Sequence, residues 1–256
     1  MDDQADKKRV SIIIPALNEE ASIFVTLKHL EALSPAPYEV IVVDGGSDDK
    51  TVEIVHAFAK TSSFPIKVVF SDQGRAKQIN KGVHNAKGDI VAFLHADTWL
   101  SPDALSVMPN VLSNEKIGLA GFTAIIQGSE RTWWMINFHH IIKTYYAPLI
   151  FRPHLFFKGA RLLFGDQVMF MRRHDFETCG GFDDDMEIME EANLCLKVVR
   201  AGLGRVKLVD RTVVTSDRRI AKWGGFKSTF LHFYIGILWG IGVSPKYLKQ
   251  FYADFR

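Results

Sequence analysis

Val10–Ile14, VSIII, places four β-branched residues in five positions and runs straight into Pro15–Glu20, PALNEE. A continuous apolar run of this kind suits a strand buried on both faces, as in a parallel sheet covered by helices. The segment from about Ala21 to Leu33 then has the apolar spacing of an amphipathic helix. The same pair recurs three times. EVIVVD (39–44) precedes DDKTVEIVHAFAK (48–60), IKVVF (66–70) precedes GRAKQINKGVHNAK (74–87), and IVAFLHAD (90–97) precedes PDALSVMPNVL (102–112). Strand and helix alternating four times with short links predict a mainly parallel sheet with right-handed crossovers.

Such sheets bind ligands beyond the carboxyl ends of their strands, and here those ends carry the polar residues. The first ends in Pro15-Ala16-Leu17-Asn18-Glu19-Glu20, the second in Asp44-Gly45-Gly46-Ser47-Asp48, the third in Ser71-Asp72-Gln73-Gly74-Arg75, the fourth in His95-Ala96-Asp97. In the second tip, Asp44 can accept hydrogen bonds from a base or ribose, two glycines admit close backbone approach, and Ser47 and Asp48 are candidate helix caps. An ordinary capped turn is the competing reading. In the third, Arg75 and Lys77 at a helix start suit a phosphate, or a solvated face. In the fourth, Asp97 can serve as an oxygen ligand for a divalent cation bridging two phosphates; alternatively His95 is a buried histidine and Asp97 caps the next helix.

Bulk properties narrow the class. The 256 residues suit one large domain with an appendage. A net charge of +2 is too mild for a nucleic-acid groove. Cys179 and Cys195 lie in unrelated contexts, which argues against a zinc knuckle or disulfide framework and fits a reducing compartment. The polar start MDDQADKKRVSIII lacks the pattern of a secretory signal. Thr229–Val243, interrupted by His232 and three glycines, is too short to span a bilayer. With Lys222, Lys227 and Lys246 around it, it suits either an interfacial helix or one packed against the domain.

Between Arg131 and Phe164 the composition shifts to aromatic and basic residues with no Asp or Glu. Trp133, Trp134, Tyr145 and Tyr146 suit stacking on a sugar or acyl chain, and Arg152, Lys158 and Arg161 suit a phosphate; a helix pair with a core of aromatics is the alternative. Strand-like QVMFM (167–171), a Gly180-Gly181 turn, helix-like EEANLCLKVVRAG (190–202) and strand-like RVKLVD (205–210) follow. No glycine-rich triphosphate loop or G-x-G-x-x-G fingerprint appears near the first strand, which disfavours nucleotidylyl transfer and nicotinamide chemistry.

The ordered set P-A-x-N-E, V-D-G-G-S, G-R-A-x-Q-x-N-x-G, L-H-A-D-T, G-D-Q, G-G-F and M-E-E resembles family 2 glycosyltransferases of the GT-A fold, over about Val10 to Tyr252. More narrowly it resembles a bacterial subgroup with L-H-A-D-T in place of D-x-D. The resemblance implies an α/β, Rossmann-like, mainly parallel sheet with flanking helices and a C-terminal helical segment. One domain over 1–256 is expected, with a nucleotide-sugar-binding half at about 10–125, an acceptor half at about 126–215 and a C-terminal segment at about 216–256. It further implies a nucleotide-diphosphate sugar donor, a divalent cation (Mn²⁺ or Mg²⁺) and inverting transfer to an acceptor hydroxyl.

Pro15, Ala16, Asn18, Glu19, Asp44, Gly45, Arg75, Gln78, Asn80, His95 and Asp97 would then form the nucleotide side, with Asp97 on the metal. His95 would bind the metal, the ribose or the diphosphate. Asp166 and Gln167 would line the acceptor side. Glu190 and Glu191 match the family's acidic pair, the second serving as general base, although Glu191 stands where many members have aspartate; plain helix-start charges are the bland alternative. Together with 229–243, the aromatic middle makes a lipid-linked acceptor and a peripheral position on the inner face of the cell membrane part of the expectation. Reading the departures differently gives a nucleotide-sugar-binding or regulatory protein at the membrane surface that has lost transfer.

Overall fold

The computed structural model describes residues 8–128, 133–217 and 225–253; Arg131 and Lys222 lie outside them. The first half follows the predicted alternation: β1 (Val10–Ala16), α1 (Ile23–Glu31), β2 (Glu39–Asp44), α2 (Thr51–Ala59), β3 (Ile66–Phe70), α3 (Arg75–Asn85) and β4 (Ile90–Phe93). After the short β5 (Thr98–Trp99) come α4 (Ala104–Leu112), β6 (Ile117–Gln127), α5 (Trp134–Phe151) and α6 (Pro153–Phe156). A 3-10 turn at Gly165–Gln167 leads into β7 (Phe170–Arg172), α7 (Arg173–Thr178), α8 (Glu190–Arg200), β8 (Arg205–Ser216), α9 (Gly225–Gly240) and α10 (Pro245–Ala253).

One eight-stranded sheet has the order β3-β2-β1-β4-β7-β6-β8-β5. The four strands read from the sequence are mutually parallel, with Ile12 beside Val40 and Ala92. β7 enters antiparallel between β4 and β6, while β6 and β8 pair in parallel. The sheet is therefore mixed in its second half. β1 and β2 are buried along nearly their whole length, as their continuous apolar runs require. One core lies on each face: α1, α2 and α4 cover Ile12, Ile14 and Val42, and α3 and α8 cover Ile13, Ile41 and Val91.

β6 was not foreseen. Its glycines Gly118 and Gly121 dilute the strand signal, yet close contact demands them. A Cβ on Gly118 would lie 2.7 Å from the Leu203 carbonyl oxygen, and one on Gly121 3.1 Å from that of Gln167. RVKLVD extends well beyond the predicted end, to Ser216, and QVMFM splits into the 3-10 turn and β7. Both cysteines are free thiols, and burial pushes that of Cys195 up to about 12. No helix among the described residues is long and apolar enough to cross a membrane.

Candidate functional site

At the carboxyl edge of β1 and β2 two loops are laced together. Asn18, with a φ of 55°, donates its N–H to Ser47 Oγ (2.9 Å) and accepts the Asp48 N–H on Oδ1 (3.0 Å). Glu19 donates its N–H to Thr51 Oγ1 at 2.7 Å and accepts the Ser22 hydroxyl at 2.6 Å. Asp44 is buried, and its carboxylate accepts the Gly46 and Ser47 N–H groups and the Ser47 hydroxyl. Ser47 and Asp48 therefore do not cap α2. Lys50 holds the N-cap position without a side-chain cap, and Asp49, one residue earlier, accepts both the N–H and the hydroxyl of Thr51 on Oδ1.

Two residues expected on the nucleotide side have other work. Gln78 is buried, and its amide donates to the carbonyls of Ala16 and Val43, both at 2.8 Å. It braces the ends of β1 and β2, and a Cβ on Gly45 would stand 3.0 Å from it. The Ala16 carbonyl, which also accepts the Gly45 N–H, belongs to that brace. Asn80 bonds both backbone groups of Phe182 and the Asp184 carboxylate at 2.7–3.0 Å. Its amide thereby fastens α3 to the loop that delivers α8.

The tip after β4 is held from two sides. Thr26 donates to the Ala96 carbonyl at 2.6 Å and His29 Nε2 meets that of Leu100 at 2.8 Å. From β8, Ser216 donates its N–H to the Asp97 carbonyl, and the Thr98 and Thr215 hydroxyls meet. Asp97 is buried, and α4 starts only at Ala104 with Asp103 before it, so Asp97 caps no helix.

Opposite this tip the second half contributes the Gly165–Gln167 turn and α8. A Cβ on Gly165 would overlap the Arg75 guanidinium and lie 2.5 Å from His95 Nε2, so both basic side chains press on this turn. Arg75, the first residue of α3, pairs with Glu191 at 3.1 Å. Glu190 and Glu191 open α8, both buried, after Met189 in a left-handed conformation (φ 64°). Val168, just beyond the turn, has a φ of 43°. Among the described residues the positive-φ non-glycines are Asn18, Val168 and Met189, all on segments that carry candidate site residues. Backbone strain concentrates where the surrounding structure fixes it for use.

Two residues escaped the sequence. Gly165 carries no polar signal beside its neighbours Asp166 and Gln167. Lys143 was passed over inside α5; it is buried, its ammonium lies 3.5 Å from the Phe164 ring centre, and burial pulls its pKa down to about 8 against the upward pull of Asp166 and Glu191. A lysine without acidic neighbours in an aromatic helix was the available signal.

α5 is inside out. Its buried positions include Asn137, Lys143 and Thr144, whereas Trp134, Phe138, Ile141, Ile142, Tyr145, Leu149 and Ile150 are exposed. α9 packs alongside, through Arg152 Nη1 on the Gly240 carbonyl (2.8 Å) and His139 against Phe233, and exposes Phe230, Phe233 and Tyr234. The aromatic middle is thus divided: Tyr146 and Trp133 are half-buried against core residues, whereas Trp134 and Tyr145 are exposed.

A sequence model of glycosyl transferase family 2 matches residues 11–180, the segment that builds the strand-tip edge and the Gly165 turn. The chain belongs to glycosyl transferase family 2. Poly-beta-1,6-N-acetyl-D-glucosamine synthase of Staphylococcus epidermidis is 29% identical over 110 residues, 43% of this family 2 chain and 27% of the synthase. The match thus spans about a quarter of that relative's length. Among solved structures, a mannosyltransferase from Pyrobaculum calidifontis in complex with GDP-Man and Mn²⁺ aligns with a TM-score of 0.68 at 20% identity, over 91% of this chain and 63% of that one. Glucosyl-3-phosphoglycerate synthase from Mycobacterium tuberculosis, with Mn²⁺, UDP and glucosyl-3-phosphoglycerate, aligns with a TM-score of 0.61 at 20% identity, over 93% and 81%. These two likenesses establish the GT-A fold of this family 2 chain.

The donor set around β4 suits a labile divalent cation. Among the described residues no three or more His, Cys, Asp or Glu side chains cluster. Asp97 is a buried carboxylate with His95 two residues before it, donors of the kind that a hard cation sharing its shell with phosphate oxygens would use.

Proposed function

We propose that this family 2 chain is a nucleotide-sugar-dependent, metal-dependent, inverting glycosyltransferase whose Leu94–Thr98 motif sets it in a subgroup of the family. The observation that carries the reading is the 3.1 Å pair of Arg75 and Glu191. It joins a guanidinium at the start of a helix on the nucleotide side to the carboxylate expected to act as base.

In this reading the nucleotide lies along the β1 and β2 tips, over Pro15, Asn18, Glu19 and the Asp44–Ser47 loop, with Asp97 and His95 toward the diphosphate. Asp97 and His95 would hold a divalent cation, whose positive charge would stabilise the departing diphosphate. Glu191 accepts the proton of the acceptor hydroxyl, whose oxygen forms a bond to the anomeric carbon from the face opposite the leaving group. The bond from that carbon to the diphosphate oxygen breaks, and its electron pair leaves with the nucleoside diphosphate. Arg75 stands between the two negative partners, pairing Glu191 before donor binding and facing phosphate afterwards. Asp166 lies on the acceptor side.

The acceptor half leads to the exposed aromatic faces of α5 and α9, with Lys158 and Lys227 exposed nearby. An inside-out helix beside exposed lysines fits a membrane surface, so the acceptor in this reading is lipid-linked and the protein peripheral on the inner face. The test of the core reading is paired. With Mn²⁺ and UDP- or GDP-sugars, Glu191→Gln should abolish transfer while retaining donor affinity, and Asp97→Ala should lose the Mn²⁺ dependence of donor binding. Full turnover by Glu191→Gln, or unchanged Mn²⁺-dependent binding by Asp97→Ala, would sink it.

A further inference from the structure

Among the described residues, Lys143 is the one buried cation near the candidate base that the transfer chemistry leaves unused. Burying an ammonium is costly, and a fold keeps such a group where its charge serves a purpose. α5 turns it inward while turning Phe138, Ile142 and Tyr145 outward, against the usual preference of a surface helix. Its contact is the face of Phe164, the residue before the turn on which Arg75 and His95 press.

The charges acting on it are Asp166 from that turn and Glu191 from α8, and Glu191 is the residue that Arg75 pairs. β6 brings no charged residue, α6 and α9 carry only His154, His232 and the exposed Lys227, and on its own helix His139 and Tyr146 bond each other at 3.2 Å.

We propose that Lys143 is a positioning residue of the transfer site: its ammonium, held on the face of Phe164 beside the Gly165–Gln167 turn, offsets the negative charge of Asp166 and Glu191 beside a negatively charged substrate. The inference rests on the nucleotide-diphosphate reading above. Two carboxylates facing one cleft repel each other and repel a diphosphate; one cation behind them offsets both effects. Since the ammonium titrates near 8, the balance holds at neutral pH and fails as pH rises through that value.

The experiment uses the full chain, with UDP and GDP as probes in the presence of Mg²⁺, titrated calorimetrically from about pH 6.5 to 9.5. Wild type should bind progressively more weakly above pH 8, at least tenfold by the upper end. Lys143→Arg, whose charge persists throughout this range, should hold its affinity. Lys143→Met should bind about tenfold more weakly at pH 7 with little further change, while melting at or above the wild-type temperature, because a buried charge has been replaced by an apolar chain of similar length. A merely structural lysine would instead give Lys143→Met a lower melting temperature and an unaltered pH profile, which overturns the inference, as would three identical profiles. Failure of wild type to bind either nucleotide at any pH overturns the donor reading and this inference with it.

Discussion

Gly165 shows how much of the site rests on an absent side chain. Arg75 from α3 and His95 from the β4 tip converge on its Cα, in space that a methyl group would take. Gly165→Ala should push both basic groups away, and a displacement of about 1 Å near the chemistry can cost on the order of 10²-fold. Transfer measured as kcat/KM should fall by that order while circular dichroism stays native; an unimpaired alanine variant would show that the convergence does not matter. Arg75 and His95 were legible as polar residues just beyond apolar strand runs, and Glu191 through the likeness of its acidic pair to that of the family. The sequence could not distribute their hydrogen bonds. Gln78 and Asn80 look as suited to a ligand as Arg75 does, and only the packed structure shows that Gln78 meets the carbonyls of Ala16 and Val43 and that Asn80 meets Phe182. Lys143 was hidden because helical spacing marks a face without saying whether that face turns inward.

At the scale of elements, β1 to β4 and their helices were legible since continuous β-branched runs and amphipathic periods repeat with short links. β6 was not, because contacts with Leu203 and Gln167, far away in sequence, require its glycines. α5 inverted the ordinary rule that apolar residues face the core. Its exposed row gives a direct prediction: Phe138→Glu with Phe230→Glu should abolish flotation with anionic vesicles. Both positions are largely exposed, at 65% each, so stability should change by only about 0.5 kcal/mol per site. Flotation equal to wild type would remove the membrane-surface reading and leave the nucleotide edge untouched.

For the whole molecule, the buried ammonium links stability to pH. The Lys143 pKa is about 8 in the folded protein against 10.5 in its absence, so between these values the unfolded chain holds the proton that the folded chain has released. Stability then rises with pH across this window, and the destabilisation by the buried charge, on the order of 3 kcal/mol, is fully present below pH 8. Denaturant titrations of wild type and Lys143→Met should converge as pH goes from 8 to 10.5; a constant gap would contradict the burial of a charged lysine.

The position of β7 has a consequence for how the chain is made. β4 meets β1 on one side as soon as residues 10–93 exist, but its other edge is closed only by Phe170–Arg172. During synthesis a nearly finished first half therefore carries a bare, apolar strand edge until some 80 further residues have emerged, at ordinary elongation rates an exposure of several seconds. An unprotected edge of that kind is a template for pairing with a neighbouring chain, so a nascent or truncated chain that stops short of Phe170 is the form of this protein most in need of a chaperone.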